Sequence, residues 1–328
     1  MAEYTKDEAR DWARENLRGQ WTTLMTPFTE DDEVDEAGLR QNIQHVRSLG
    51  TRGGGCTWGM GEFWSLTRDE RTLIYDIVSD EAGSGWPIGA HVTHTSAKET
   101  LALADHAASA GFDLLIAAAP YFVTKTEQQV VDYISLLADN TPLAIMFYNS
   151  PQFGIVMSAQ GLQQICEIPN VVGVKEASFD QDLSIEAHQL LGRDSIISTP
   201  DEWILFKGKE LGFEQQVMFA NTSDWRFDVP GRNYYVQFIE KAMSGDLDEE
   251  FYDAHIRPIK QVSDQWWRRI VQKQNGALPV SMCKYWGELM GMAGGHVRLP
   301  LGSLSDDEKS ELERDVTAVQ GQTKAATG

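Results

Sequence analysis

The chain has 328 residues, 42% of them hydrophobic, enough for one large barrel with extra helices or for two ordinary domains. Its formal net charge of -21 repels phosphate backbones and anionic membranes, which argues against nucleic acid as a partner. Cys56, Cys166 and Cys283 lie far apart, with no Cys-x-x-Cys or Cys/His metal spacing, so they read as reduced, buried thiols of a cytoplasmic protein.

Residues 1–18 are charged and helical in pattern, with no apolar signal core, and no later apolar run is long enough to span a membrane. Trp21–Met25 reads as a strand ended by Pro27, and Glu36–Leu49 as a helix stopped by Gly50. Gly53–Thr57 is the next strand, and Thr67-Arg68-Asp69-Glu70 is a capping box that opens a helix. The alternation continues with strands Pro87–His91, Leu114–Ala117, Leu143–Tyr148, Val171–Val174, Ile196-Ile197 and Gln216–Phe219. Helical patterns separate or follow them at Ser96–Ala110, Thr126–Ala138, Ala159–Glu167, Leu183–Leu191, Trp203–Leu211 and Asp228–Met243.

Eight strand–helix units predict an α/β fold, a (β/α)8 TIM barrel, over residues 19–245. A doubly wound sheet is disfavoured because no Gly-x-Gly-x-x-Gly turn follows the first strand. Helical patterns at Glu249–Lys273, Val280–Gly291 and Asp306–Val319, with no strands between, predict a C-terminal helical region over 246–328 that frays from Gln320.

Catalytic groups of a parallel barrel sit at the C-terminal ends of its strands. Tyr148, Asn149, Lys175, Glu176, Glu62 and Asn221 all fall there. Lys175 closes the apolar run Val171-Val172-Gly173-Val174; burial of its amine would favour the neutral, nucleophilic form. A lysine paired with a carboxylate, or snorkelling to solvent, fits the position equally. Tyr148 can shuttle protons beside an iminium or simply pack in the core. His91 and His94, at and after the third strand, are general acid–base candidates or hydrogen-bonded loop histidines. Asn221 can reach a substrate oxygen or shape a turn. Trp266-Trp267-Arg268-Arg269 reads as helix packing with a solvated basic edge.

Tyr148-Asn149-Ser150-Pro151 followed by Gly173-Val174-Lys175-Glu176-Ala177-Ser178 resembles the dihydrodipicolinate synthase and N-acetylneuraminate lyase superfamily. Thr26-Pro27-Phe28, Gly61-Glu62-Phe63-Trp64-Ser65-Leu66-Thr67, Ala119-Pro120-Tyr121 and Gly294-Gly295-His296-Val297-Arg298-Leu299-Pro300-Leu301 agree in order and spacing, from about Gly19 to about Leu312. The resemblance implies a homotetrameric lyase acting on a 2-keto acid, with Lys175 forming a covalent imine and Tyr148 moving protons. It implies no separate cofactor, and a turn Gly59-Met60-Gly61 that holds the substrate carboxylate with backbone N–H groups.

The departures redirect the expected specificity. The family's Gly-Thr-Thr-Gly-Glu is Trp58-Gly59-Met60-Gly61-Glu62 here, so both hydroxyls are gone. The second relay tyrosine is Phe122, and Gln152-Phe153-Gly154 stands where an arginine would bind a dicarboxylic partner. Trp58, Met60, Phe63, Trp64, Phe122 and Phe153 instead suggest an apolar, aromatic second-substrate pocket, or else loop or interface packing. The chain thus looks like hydratase-aldolases that cleave aryl-substituted 2-keto acids to pyruvate and an aldehyde. A keto acid dehydratase using the same imine, and a silent ligand-binding barrel, are the alternatives.

Overall fold

The computed structural model describes residues 3–220 and 226–325. Eight parallel strands form its centre: β1 Gly19–Thr23, β2 Gly53–Cys56, β3 Ile88–His91, β4 Leu114–Ala118, β5 Ala144–Asn149, β6 Val171–Glu176, β7 Ile196–Ser198 and β8 Val217–Ala220. Neighbours in sequence pair in order from β1 to β7, and β8 pairs back onto β1, so the sheet curls into a (β/α)8 barrel. Side chains finish the remaining seam. The Gln215 amide donates to and accepts from the Thr199 backbone, and Ser198 Oγ accepts from Phe219 N at 2.9 Å.

β2 is Gly-Gly-Gly-Cys, a composition with little intrinsic strand preference. Packing explains it. A Cβ on Gly53 would lie 2.5 Å from Trp21 Cε2, one on Gly54 2.2 Å from Trp86 Cη2, and one on Gly55 2.4 Å from Trp58 Cζ2. Three indoles therefore press against this strand, and the one on Gly55 belongs to the site described below. A Gly55→Ala variant is expected to lose about 1–3 kcal/mol by displacing Trp58, read as a lower urea midpoint.

The helices follow the expected punctuation. Thr67 Oγ1 accepts from Glu70 N while the Glu70 carboxylate accepts from Thr67 N, closing the capping box of Arg68–Ala82. Three segments differ from expectation. The helix after β7 is shorter, Glu202–Lys207, because a glycine-punctuated turn follows. The helix expected from Asp228 begins at Tyr234, since both Asp228 carboxylate oxygens accept from N–H groups at its start, Tyr235 and Val236. Glu249–Lys273 is not one regular helix: a π-helical segment, Tyr252–Ile256, precedes Arg257–Lys273. Pro258, lacking an N–H, stands at that junction.

Tyr4 fastens the N-terminal segment across the strands: its hydroxyl donates to Asp113 O at 2.5 Å and accepts from Ala144 N at 2.7 Å. At the other end of the chain, Trp266 is buried and donates to Asp315 at 2.9 Å, while Arg269 pairs with Glu311 near the surface. The three cysteines are free and buried. No helix among the described residues is long and apolar enough to cross a membrane.

Candidate active site

Lys175 and Tyr148 are direct ladder neighbours on β6 and β5, both in the strand interior of the barrel and both buried. β6 runs two residues beyond the apolar tetrad, so Lys175 is held by strand geometry and not by a loop. Its Nζ lies 4.5 Å from the Tyr148 ring centroid and 4.6 Å from that of Trp58. No part of Lys175 is exposed, and burial holds its pKa well below the usual lysine value. Burial thus favours the neutral form of the amine, the form that can act as a nucleophile.

This has a consequence for stability. The unfolded chain binds a proton at Lys175 that the folded chain releases, so stability rises with pH from the lowered value up to the ordinary value of 10.5. Lys175→Met removes that dependence. The variant is expected to be more stable than the parent at about pH 7, with the gap closing as pH rises through the usual lysine range, as read in urea melts across pH.

Trp58 and Gly59 join this pair. A Cβ on Gly59 would lie 2.9 Å from Gln152 Oε1 and 3.8 Å from the Tyr148 hydroxyl, so Gln152, Gly59 and Tyr148 crowd one spot. Met60 is buried beside them in the core. Gly61 does not offer the amide expected of it: its N–H donates to Trp58 O at 3.0 Å, and Glu62 N donates to Gly59 O at 3.1 Å. The turn is folded on itself, and among the described residues its Gly59 and Met60 N–H groups make no backbone hydrogen bond.

Phe122 is 83% exposed in the single chain, with φ of 75°. Its neighbour Tyr121 reaches Phe63, with ring centroids 5.5 Å apart. Asn221 lies outside the described residues.

An aromatic wall stands beside the lysine. Phe153 meets Tyr148 edge-on at 5.2 Å and stacks on Phe63 at 5.7 Å. Phe63 in turn meets His91 at 4.6 Å and Trp64 at 5.2 Å. His91 is fully buried, and its Nδ1 lies 2.9 Å from the Thr57 carbonyl oxygen. Burial, with Arg71 close by, holds its pKa well below the usual imidazole value. Arg71 donates to the carbonyls of Thr93 and His91, and the Tyr75 hydroxyl donates to the same His91 oxygen at 2.6 Å. His94 is a loop residue: its Nδ1 accepts from Ser96 N at 2.9 Å.

Three other candidates turn out to be braces. Asn149 donates to Glu176 at 2.7 Å and to Met157 O at 3.2 Å, and Glu176 also accepts from Ser178 N at 2.9 Å. Glu62 sits in the left-handed region at φ of 53° and pairs with buried Lys284 at 2.6 Å. Its other oxygen accepts from Arg298 N at 3.1 Å, so the C-terminal glycine-rich motif clamps the β2 turn.

Gln152 carries no local signal in the sequence beyond standing in the place of an arginine. In the fold, both its amide atoms, His91 Nε2 and Trp58 Nε1 are buried without a hydrogen-bond partner among the described residues. Buried polar atoms without partners cost about 1–3 kcal/mol each. Among the described residues no three His, Cys, Asp or Glu side chains are placed to hold a metal.

The profile of the Dihydrodipicolinate synthetase family matches residues 16–319. A 4-hydroxy-tetrahydrodipicolinate synthase of Methanothrix thermoacetophila is 26% identical over 303 residues, covering 92% of this chain and 96% of that protein. One from Methylobacterium radiotolerans is 31% identical over 187 residues, covering 57% of this chain and 62% of that protein. Among solved structures, the N-acetylneuraminate lyase of Proteus mirabilis superposes with a TM-score of 0.78 at 21% identity, covering 93% of this chain and 99% of its own. A prophage protein of E. coli K12 in complex with pyruvate gives 0.80 at 20% identity, covering 93% and 99%. At such identities the structural likeness is one of fold.

Proposed function

Since this chain belongs to the Dihydrodipicolinate synthetase family, whose members are class I aldolase-type lyases that need no external cofactor, we propose that it cleaves a 2-keto acid to pyruvate and an apolar or aromatic aldehyde. Lys175 attacks the 2-keto carbon, and loss of water gives a protonated imine. Tyr148, its ladder neighbour, moves the protons of the carbinolamine steps. Carbon–carbon cleavage sends electrons into the iminium, and the enamine is protonated and hydrolysed to pyruvate.

The observation that carries the reading is the buried Lys175 amine between the Tyr148 and Trp58 rings, where burial disfavours its charged form. The aldehyde half rests on what surrounds it. Phe63, Phe153 and Trp58 form an apolar wall, and Gln152-Phe153-Gly154 stands where the resemblance expects an arginine for a second carboxylate. Because Lys175 is wholly buried, substrate access displaces one of these rings. The Gly59 and Met60 N–H groups and the Gln152 amide are the groups left to hold the keto acid's carboxylate. Exposed Phe122 and half-exposed Val123 support a homo-oligomer in which this corner meets a second copy of the chain.

The test is product analysis with 4-hydroxy-2-oxo-4-phenylbutanoate, the aldol of pyruvate and benzaldehyde. Pyruvate and benzaldehyde in equal amounts are expected. A dehydrated keto acid of unchanged carbon count would replace this reading with the dehydratase one, and no turnover of any 2-keto acid would leave a ligand-binding barrel.

A further inference from the structure

The His91 ring has one nitrogen spoken for and one not. A carbonyl oxygen only accepts, so the 2.9 Å contact to Thr57 O requires Nδ1 to carry the proton. In the neutral ring Nε2 then holds a bare lone pair. That atom is buried and has no partner among the described residues. Phe63 meets the ring edge-on at 4.6 Å, Phe153 lies 5.8 Å away, and the His91 backbone carbonyl is gripped by Arg71 and Tyr75. Phe153 links it to Tyr148, so His91 stands in the aromatic half of the site while Tyr148 and Lys175 hold the imine half.

Retro-aldol cleavage needs a proton acceptor at the hydroxyl of the carbon that becomes the aldehyde. Tyr148, at the imine, serves the other end of the substrate. We propose that His91 is the general base of carbon–carbon cleavage, its Nε2 taking the proton from the C4 hydroxyl; this rests on the aldolase reading above. In that step the O–H bond breaks and its proton goes to Nε2. The C3–C4 bond breaks, C4=O forms, and the electron pair of the broken bond neutralises the iminium as an enamine. The proton then returns from Nε2 to C3, which restores the pyruvate imine for hydrolysis by water.

The charge balance suits a buried histidine. An imidazolium alone in this apolar space, beside Arg71, would be strongly disfavoured. Here the ring becomes positive as the iminium becomes neutral, so the net charge of the enclosed space does not change. A base of low intrinsic basicity also returns its proton readily to the enamine carbon.

The test uses His91→Asn, whose amide can still donate to Thr57 O but offers no base, and His91→Phe, which fills the space with an apolar ring. Two rates are read on the whole protein: borohydride trapping of pyruvate on Lys175, and cleavage of 4-hydroxy-2-oxo-4-phenylbutanoate. Trapping is expected to stay within a few fold of the parent in at least one variant, while cleavage falls by about 10²–10⁴-fold. Cleavage at the parental rate in a variant that traps pyruvate would overturn the assignment. So would loss of trapping in both variants, which would place His91 in the fold and not at the reacting bond. A parent protein that neither traps pyruvate nor cleaves the aldol would instead refute the aldolase reading itself.

Discussion

Lys175→Ala is expected to lower aldol cleavage on the order of 10⁴–10⁶-fold, the scale seen when a covalent nucleophile is removed. The size follows from what no other group can supply. The iminium on Lys175 is the electron sink for the broken bond, and among the described residues the other lysine that is almost wholly buried, Lys284, is already paired with Glu62 at 2.6 Å. The loss should fall on kcat, because the Gly59 and Met60 amides, Gln152 and the aromatic wall remain in place to bind substrate. Steady-state kinetics with the benzaldehyde aldol check both points. A variant retaining a tenth of parental kcat would mean that the amine is not the reacting group.

Lys284→Met is expected to cost about 3–5 kcal/mol of folding stability, because it strands the Glu62 carboxylate uncompensated in the interior. Both partners are essentially without exposure, at 1% and 0% of their side chains. Lys284 also donates to His296 O at 2.7 Å, so the same amine ties the β2 turn to the C-terminal motif. Glu62→Gln combined with Lys284→Met should recover most of the loss, since no charge is then left buried. Arg40 gives the contrast. It pairs with Glu36, Asp80 and Glu81 at the surface, and such pairs are worth about 0–1 kcal/mol. Urea unfolding of the four proteins, including Arg40→Ala, separates the two kinds of ion pair. A loss of under 1 kcal/mol in Lys284→Met would show that this buried pair does not hold the β2 turn in place.

The barrel was legible in the sequence because strand and helix periods alternate cleanly and the caps are explicit, as at Thr67 and Glu70. Lys175 was legible only together with Tyr148-Asn149-Ser150-Pro151, because its position alone fits a paired or snorkelling lysine equally; the fold extends β6 through it. What escaped was set by contacts between distant segments. Gln152 acquires meaning only once β2 and β5 bring Gly59 and Tyr148 beside it. The proton placement on His91 depends on where Thr57 points its carbonyl. Glu62 looked like a strand-end acid of the site and is a brace, because its partner comes from a helix more than two hundred residues later. Phe122 carried an aromatic signal at a strand-end loop, and in the single chain it is exposed at a positive φ, which no local pattern announced.

The account depends on an uncharged Lys175 amine that reacts with a keto carbon. Reduction with borohydride in the presence of pyruvate, followed by peptide mapping, tests it most directly. One reduced pyruvate adduct per chain is expected, located on the peptide that carries Lys175 and missing from Lys175→Ala. An unmodified chain, or an adduct on any other lysine, would contradict it.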